Sequence, residues 1–451
     1  MRNLDLTKGK ITPTIFQYCI PIILGSLIQV MFNMTDKIVL GQMAGGDAVA
    51  SVGAVGPISQ MIVNFLVGLG GGVTVILARA IGAHDSERAR RIISTAILST
   101  VFLGIFGIAV AMPLARPLLV LTKCPAECFD GAYTYIMIYY SAIPAIIVYN
   151  FGASILRVSG DSTRPTVYLI LAGVLNVILN VILCIVLTQK VAAVAIATLA
   201  SQVLGAVLVV TRLVRMKEDY RLDPRRLTFD RSAFGKILYY GIPNGFSTSL
   251  YCIANLQVQS GINSFGPAAI AGNSAGGDIE GLLASFTGGF SQGTLAMVGQ
   301  NLGAENPRRV RESFWYTLIW SMTVTGALSA VVVLFRVPFL RLFVPDRPEA
   351  IPYGLSRMWH TTALYALNAV NAVLAAMLNA FGYSTFTMVS SLTSTLAFRT
   401  VWMQLIYPHF PTFDNIMLCF TIAWIISFVT LGSMVVYVYT SYNKGKLKTR
   451  L

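Results

Sequence analysis

Apolar residues fill this chain in long runs of about 20, the length that carries an α-helix across a ~30 Å hydrocarbon layer. Pro, Gly and clusters of charge punctuate the runs, and the intervals between these breaks predict twelve membrane-spanning helices. The first six lie at approximately 14–40, 51–80, 92–115, 132–157, 166–188 and 192–214. After a charged stretch, 215–236, six more follow at roughly 237–263, 268–302, 313–343, 354–381, 385–407 and 415–441, and the chain closes on a polar tail, 442–451. The N-terminal residues ahead of the first run carry no apolar segment with a small-residue cleavage site, so that run is expected to be retained as a helix.

Composition and charge sharpen this picture. Of the 451 residues, 55% are hydrophobic and only 12% charged, against roughly 25% charged in a soluble domain. The net charge of +14 does not point to nucleic acid, because the basic residues stand in short loops between apolar spans, where they meet anionic lipid heads. With the N-terminus inside, 24 Lys and Arg fall on the cytoplasmic side and seven, Arg357 among them, on the other. That bias predicts a multi-pass protein of the cell inner (plasma) membrane with both termini cytoplasmic. The six Cys include a close pair, Cys124 and Cys128. A bridge there would need an oxidising compartment, and a helical membrane fold needs no Cys framework, so two free thiols are expected. The three His (His84, His360, His409) are far apart, so no metal cluster or convergent enzyme site is expected.

A repeat at a period near 221 organises the whole chain. Tyr18-Cys19-Ile20-Pro21 matches Tyr240-Gly241-Ile242-Pro243, Gly82-Ala83 matches Gly303-Ala304, and Leu156 to Thr163 matches Leu378 to Thr385. Each half holds six spans, so the halves enter from the same side as parallel repeats. The expected fold is all-α and integral to the membrane, with twelve transmembrane helices in two six-helix lobes related by a pseudo-two-fold axis along the membrane normal. The N-lobe is 1–214, the cytoplasmic linker 215–236, the C-lobe 237–441 and the cytoplasmic tail 442–451.

Inside the spans, ionisable and strongly polar side chains are scarce, and each is a functional candidate because inserting a charge costs about 2.5–3.5 kcal/mol. Asp36 follows some twenty nearly uncharged positions and precedes Ile38, Val39 and Leu40. Desolvation disfavours its ionised form, which suits it to carry a proton. Asn176 and Asn180 are the strongly polar residues of the fifth span and stand four apart, on one helix face. Asp278 and Glu280 lie early in the eighth span, and Arg399 sits mid-span in the eleventh with an acid or a carbonyl as its expected partner. Met31, Phe32, Met61, Phe65, Tyr139, Tyr149, Phe286, Phe290 and Met297 supply soft and flat surfaces of the kind that line an adaptable pocket. Pro21, Gly25, Gly68, Gly70 to Gly72 and Gly288-Gly289 are candidate hinges.

The stretch GAHDSERARR after the second span, its partner GAENPRRVRE, the VSGDSTRP segment ending at Pro165 and the late aspartate of the first span resemble the multidrug and toxic compound extrusion (MATE) family over essentially the whole chain. The acidic and basic loop expected of a major facilitator is absent. The resemblance implies a bacterial secondary antiporter that exports organic, cationic or amphipathic compounds in exchange for H⁺ or Na⁺, with no cofactor. It places the coupling site, and a Na⁺ if one is bound, at Asp36, Asn176, Asn180 and Thr198. Asn180 stands where relatives often carry an aspartate. Glu280, and less closely Asp278, match an acid of the C-lobe, serving coupling or substrate, in Gram-positive members. Tyr251 and Asn368 replace the C-lobe acids of the NorM type. The expected partners are small organic molecules and membrane lipids. The alternative is a lipid-linked saccharide flippase of the same superfamily, which commonly has more spans and a strongly cationic cavity. One charge moved through 100 mV supplies about 2.3 kcal/mol, so a single coupled ion sustains a drug gradient approaching ~50-fold.

Overall fold

The computed structural model describes the backbone of residues 4–121, 126–345 and 347–444, with their side chains except at 33–50, 53–54, 57–58, 121, 126–127 and 443. Every regular element among the described residues is helical. The first half contains α1 (Ile11–Gly82), α2 (Ser86–Leu121), α3 (Ala126–Ser141), α4 (Ile143–Val158), α5 (Thr163–Val186) and α6 (Lys190–Val214). The second contains α7 (Arg231–Asn263), α8 (Pro267–Gly303), α9 (Pro307–Leu334), α10 (Arg336–Phe343), α11 (Ile351–His360), α12 (Tyr365–Ala380), α13 (Ser384–Ser391), α14 (Phe398–Val401) and α15 (Phe413–Asn443).

Eight helical stretches among the described residues are long and apolar enough to cross a membrane, including Ile11–Phe32 and Ser59–Gly82 within α1, and α3 with α4, bent by 45°, makes a ninth. The remaining expected spans are helical but more polar. Asn244, Asn255, Gln257 and Gln259 interrupt α7, while Asn273, Asp278, Glu280, Gln292, Gln300 and Asn301 interrupt α8. Residues 384–409 alternate α-helix with two π-helical segments, Leu392–Ala397 and Trp402–Ile406, on either side of α14.

Two compact units partition the chain. One holds Leu24–Gly245 with the N-terminal residues to Asp5, and the other holds Leu6–Ile23 with Phe246–Leu451. The boundaries fall within α1 and α7, and small residues explain why. In the first unit a Cβ on Gly68 would lie 2.4 Å from the Gly245 Cα, and one on Gly72 would lie 2.2 Å from the Ile237 carbonyl oxygen and 2.7 Å from the Gly241 nitrogen. In the second, Cβ atoms on Gly289 and Gly293 would lie 2.3 Å from Ile23 and 2.4 Å from the Cys19 sulfur. Gly68 and Gly72 match Gly289 and Gly293 in the repeat, and Cys19 and Ile23 match Gly241 and Gly245. The same four-residue spacing of small side chains thus brings the opening turns of α1 against α8 and those of α7 against α1. Gly68, Gly72 and Gly289, read from sequence as hinges, are close-packing positions.

The repeat also reaches the backbone conformation. His84 and Glu305 adopt left-handed φ values of 55° and 52°, and Gly160 and Gly382 values of 84° and 88°. Each pair closes its helix with the same bond: Asp85 and Asn306 N–H donate to the Ala80 and Asn301 carbonyls, both at 3.0 Å, and Asp161 and Tyr383 N–H donate to the Leu156 and Leu378 carbonyls at 2.9 and 2.8 Å. These are left-handed helix terminations, at which Gly carries no steric penalty. In the first unit the linker packs back on the helices, burying Met216 and Leu222. The core of the second is built where α8, α9, α12 and α15 bury Val298, Phe314, Met377, Phe381 and Val438.

Candidate functional site

In the first unit, α5 and α6 assemble a string of polar side chains in an apolar setting. Asn180 Nδ2 donates to Asn176 Oδ1 at 3.2 Å, and Asn176 Nδ2 reaches the Thr198 hydroxyl at 3.4 Å. Thr198 donates in turn to the Val194 carbonyl of its own helix at 3.0 Å. Asn176 and Asn180 are 6% and 1% exposed, so the spacing of four does put both amides on the packed face of α5. One turn earlier, Gly173 makes room for the Phe32 ring: a Cβ there would lie 2.1 Å from it. The Asp36 side chain lies outside the described residues, as does Cys124; Cys128 is a free, buried thiol.

The acids of α8 have separate fates. Arg357, counted by the sequence reading among the outer-side charges, is largely buried and grips Glu280 with its Nε and Nη2, at 2.9 Å to Oε1 and 2.8 Å to Oε2. Gly276 and Gly277 leave the space that its side chain fills. Thr361 donates to Glu280 Oε1, and Arg357 Nη1 donates to the Asn273 side-chain and backbone oxygens at 2.6 and 3.2 Å. Every oxygen of Glu280 is therefore bonded. Asp278, two residues away on a different helix face, has no hydrogen bond or ion pair with any described residue. Tyr251 is 43% exposed, and Asn368 bonds Tyr365.

Arg399 has no carboxylate partner among the described residues. It is 0% exposed, its Nη1 donates to Asn255 Oδ1 at 2.8 Å, and its guanidinium lies 4.1 Å from the centre of the Phe420 ring and 5.5 Å from that of Tyr251. Its Nε and Nη2 have no hydrogen-bond partner among the described residues. Sequence marked the residue by its charge in an apolar run, but its cradle comes from two other helices, α7 and α15, and could not be read from α14 alone.

The aromatic and Met positions divide. Tyr149 is buried with its hydroxyl donated to the Pro165 carbonyl at 3.0 Å, and Phe290 and Met297 are 1% and 0% exposed, with Phe290 edge-on to Phe16. These three are packed core, contrary to the reading of them as pocket wall. Phe32, Met61, Phe65, Tyr139 and Phe286 are partly exposed and Met31 is 62% exposed, with Tyr139 stacked on Tyr135.

Comparison with known proteins fits this geometry. The sequence profile of the MatE family matches residues 21–182 and 243–407. The chain is 26% identical over 399 residues to the probable multidrug resistance protein YpnP of Bacillus subtilis (strain 168), covering 88% of this chain and 89% of that one. It is 23% identical to a FAD transporter of Shewanella oneidensis, covering 83% and 84%. Among solved structures, a MATE protein in complex with MaL6 superposes with a TM-score of 0.90 at 22% identity over 98% of this chain and 100% of that one. An outward-facing multidrug resistance MATE family transporter of the MOP superfamily gives 0.89 at 21% over 98% and 99%. These likenesses establish an all-helical, two-lobe membrane fold, and the two matched segments, one in each repeat, show that the chain belongs to the MatE family.

Proposed function

We propose that this protein is a secondary antiporter that exports organic, amphipathic compounds across the plasma membrane by alternating access, with both termini cytoplasmic and no enzymatic step. The observation that carries the reading is the buried Asn180–Asn176–Thr198 string. Interhelical polar bonds in membranes average only about 0.6 kcal/mol, so stability alone is a weak reason to keep three polar side chains there. Phe32, four residues before Asp36 in the sequence, is seated against Gly173 one turn from Asn176. Asp36 is the coupling acid in this reading, grouped with Asn176, Asn180 and Thr198 by the family resemblance. With Asn180 where relatives often carry an aspartate, Asp36 is the one carboxylate of this set, which favours H⁺ over Na⁺ as the coupled ion. Relatives named as multidrug resistance proteins and a FAD transporter support an organic substrate.

The test is transport of a fluorescent organic substrate by proteoliposomes under an imposed pH or Na⁺ gradient. A pH gradient should drive it, and Asp36→Asn should abolish the coupled flux in protein that is inserted and folded. Full gradient-driven flux in that variant would remove Asp36 from the mechanism, and flux driven by neither gradient would end the antiport reading. In the second unit, Glu280 is committed to Arg357, so a further coupling carboxylate there would be Asp278.

A further inference from the structure

Arg399 is a full positive charge at 0% exposure, with two of its three guanidinium nitrogens unbonded among the described residues. A buried charge without a counter-ion is among the most unfavourable arrangements in a membrane protein. The Phe420 face and the Asn255 carbonyl offset part of it, yet neither carries a negative charge. Arg357 shows what this edge does when satisfied: its Nε and Nη2 hold both oxygens of one carboxylate, at 2.9 and 2.8 Å. Arg399 presents the same two nitrogens, and among the described residues nothing bonds them. A planar fork of this kind matches carboxylate or phosphate rather than a monatomic ion.

The repeat shows how the surroundings of Arg399 differ from those of the first unit. At the offset of 222 that relates Gly160 to Gly382, Asn176 and Asn180 fall on Phe398 and Trp402, on either side of Arg399, and Thr198 falls on Phe420. The places that hold neutral oxygen and amide groups in the first unit therefore hold aromatic rings in the second, and Arg399, which falls on Val177, stands one residue from the first of them with its guanidinium over the Phe420 ring. The backbone is irregular there as well: π-helical segments flank α14 on both sides, a feature that recurs at ligand sites.

We infer that Arg399, with Asn255 and the rings of Phe420 and Tyr251, forms a binding site for the carboxylate or phosphate group of an organic solute. In transport terms this names the substrate class, an amphiphile bearing an oxyanion, and that part rests on the antiport reading above. The binding site itself does not.

The experiment separates the two. Full-length protein in lipid nanodiscs, with no gradient present, is titrated calorimetrically with phenyl phosphate, benzoate, benzyltrimethylammonium and chloride. Phenyl phosphate or benzoate should bind, and whichever binds more tightly identifies the oxyanion; Arg399→Gln should weaken that binding at least tenfold, and Arg399→Lys, which keeps the charge without the fork, should lie between. Asn255→Asp, which gives Arg399 an internal carboxylate, should also weaken it at least tenfold while raising the melting temperature, so the site is tested even where Arg399→Gln fails to fold. Equal affinity for benzyltrimethylammonium, competition by chloride at the same concentration as the oxyanions, or unchanged phenyl phosphate and benzoate binding in Asn255→Asp would each overturn the inference. Gradient-driven flux in proteoliposomes is measured beside it: binding without coupled flux defeats the antiport reading and leaves the site, and coupled flux without oxyanion binding does the reverse.

Discussion

Removing the carboxylate of Glu280 separates two roles for this acid, one as a structural anchor and one as a carrier of the coupled ion. In Glu280→Gln the two bonds from Arg357 and the one from Thr361 are lost or weakened. Were these only hydrogen bonds, about 0.6 kcal/mol each in a membrane, the loss would stay under about 2 kcal/mol. Arg357, however, would remain buried at 14% side-chain exposure with no carboxylate beside it. Stripping one partner from a buried ion pair costs about 3–5 kcal/mol. The second figure should win, and the unfolding equilibrium in mixed detergent micelles should shift by at least about 3 kcal/mol, more than a hundredfold. Replacing both partners, Glu280→Leu with Arg357→Met, removes the stranded charge and should return most of that stability, because apolar pairs of similar volume often match a buried ion pair. The double variant should also keep gradient-driven transport. A shift below about 1 kcal/mol in Glu280→Gln would refute the anchoring argument. Loss of coupling in a folded double variant would return Glu280 to the ion pathway.

Four further outcomes follow from the geometry. Gly72→Val should separate α1 from α7, since even a Cβ would lie 2.2 Å from the Ile237 carbonyl oxygen; a loss of several kcal/mol is expected in the same micelle assay, and a variant as stable as wild type would show that the helices slide apart freely. Asp161→Asn strips the buried carboxylate that holds Arg164 at 2.5 Å and Arg212 at 3.8 Å, and should destabilise by about 3 kcal/mol, less if Arg164 and Arg212 reach water. Arg309→Ala removes the donor that holds the Leu6, Lys8 and Gly9 carbonyls at 3.4, 3.1 and 2.8 Å, so backbone hydrogen exchange of residues 6–10 should accelerate while that of α9 does not. Burial in the linker pushes the Tyr220 phenol from 10.0 up to about 12, against the opposing effect of its bond to Ser159. The folded form then binds the extra proton between these values, so its contribution is present below pH 10 and lost as pH rises towards 12; the 295 nm absorbance difference between wild type and Tyr220→Phe should titrate near the upper limit.

The sequence made the helices and the repeat legible because both are local signals: apolar length, and a recurring order of Gly, Pro and Tyr. It reached as far as the amides of Asn176 and Asn180, whose spacing of four fixes a shared face without knowledge of any neighbour. It gave Arg357 no partner, because counting charges near span ends does not say what each one touches, and only tertiary structure brings this one onto Glu280, 77 residues away. It also read Gly68 and Gly72 as hinges, since a glycine that permits bending and a glycine that permits close contact look the same until the opposing helix is known. The joining of α1 to α8 and of α7 to α1 was hidden for the same reason: an apolar stripe says that a face is covered, not by what.

What the two repeats share and where they part bears directly on mechanism. The shared features are devices of backbone: left-handed residues at His84 and Glu305 and at Gly160 and Gly382, and small residues four apart at Gly68 and Gly289. These set where helices stop and how closely they approach, so any working version of the fold must keep them in both halves. The side chains placed on that common frame are not shared. Amides and a hydroxyl occupy the α5 and α6 positions of the first unit, whereas Phe398, Trp402 and Phe420 occupy the matching positions of the second, with the Arg399 guanidinium beside them over the Phe420 ring. In the antiport proposed above, a neutral, oxygen-bearing site in one unit and a cationic one in the other would hold the coupled cation and an anionic exported compound at separate places.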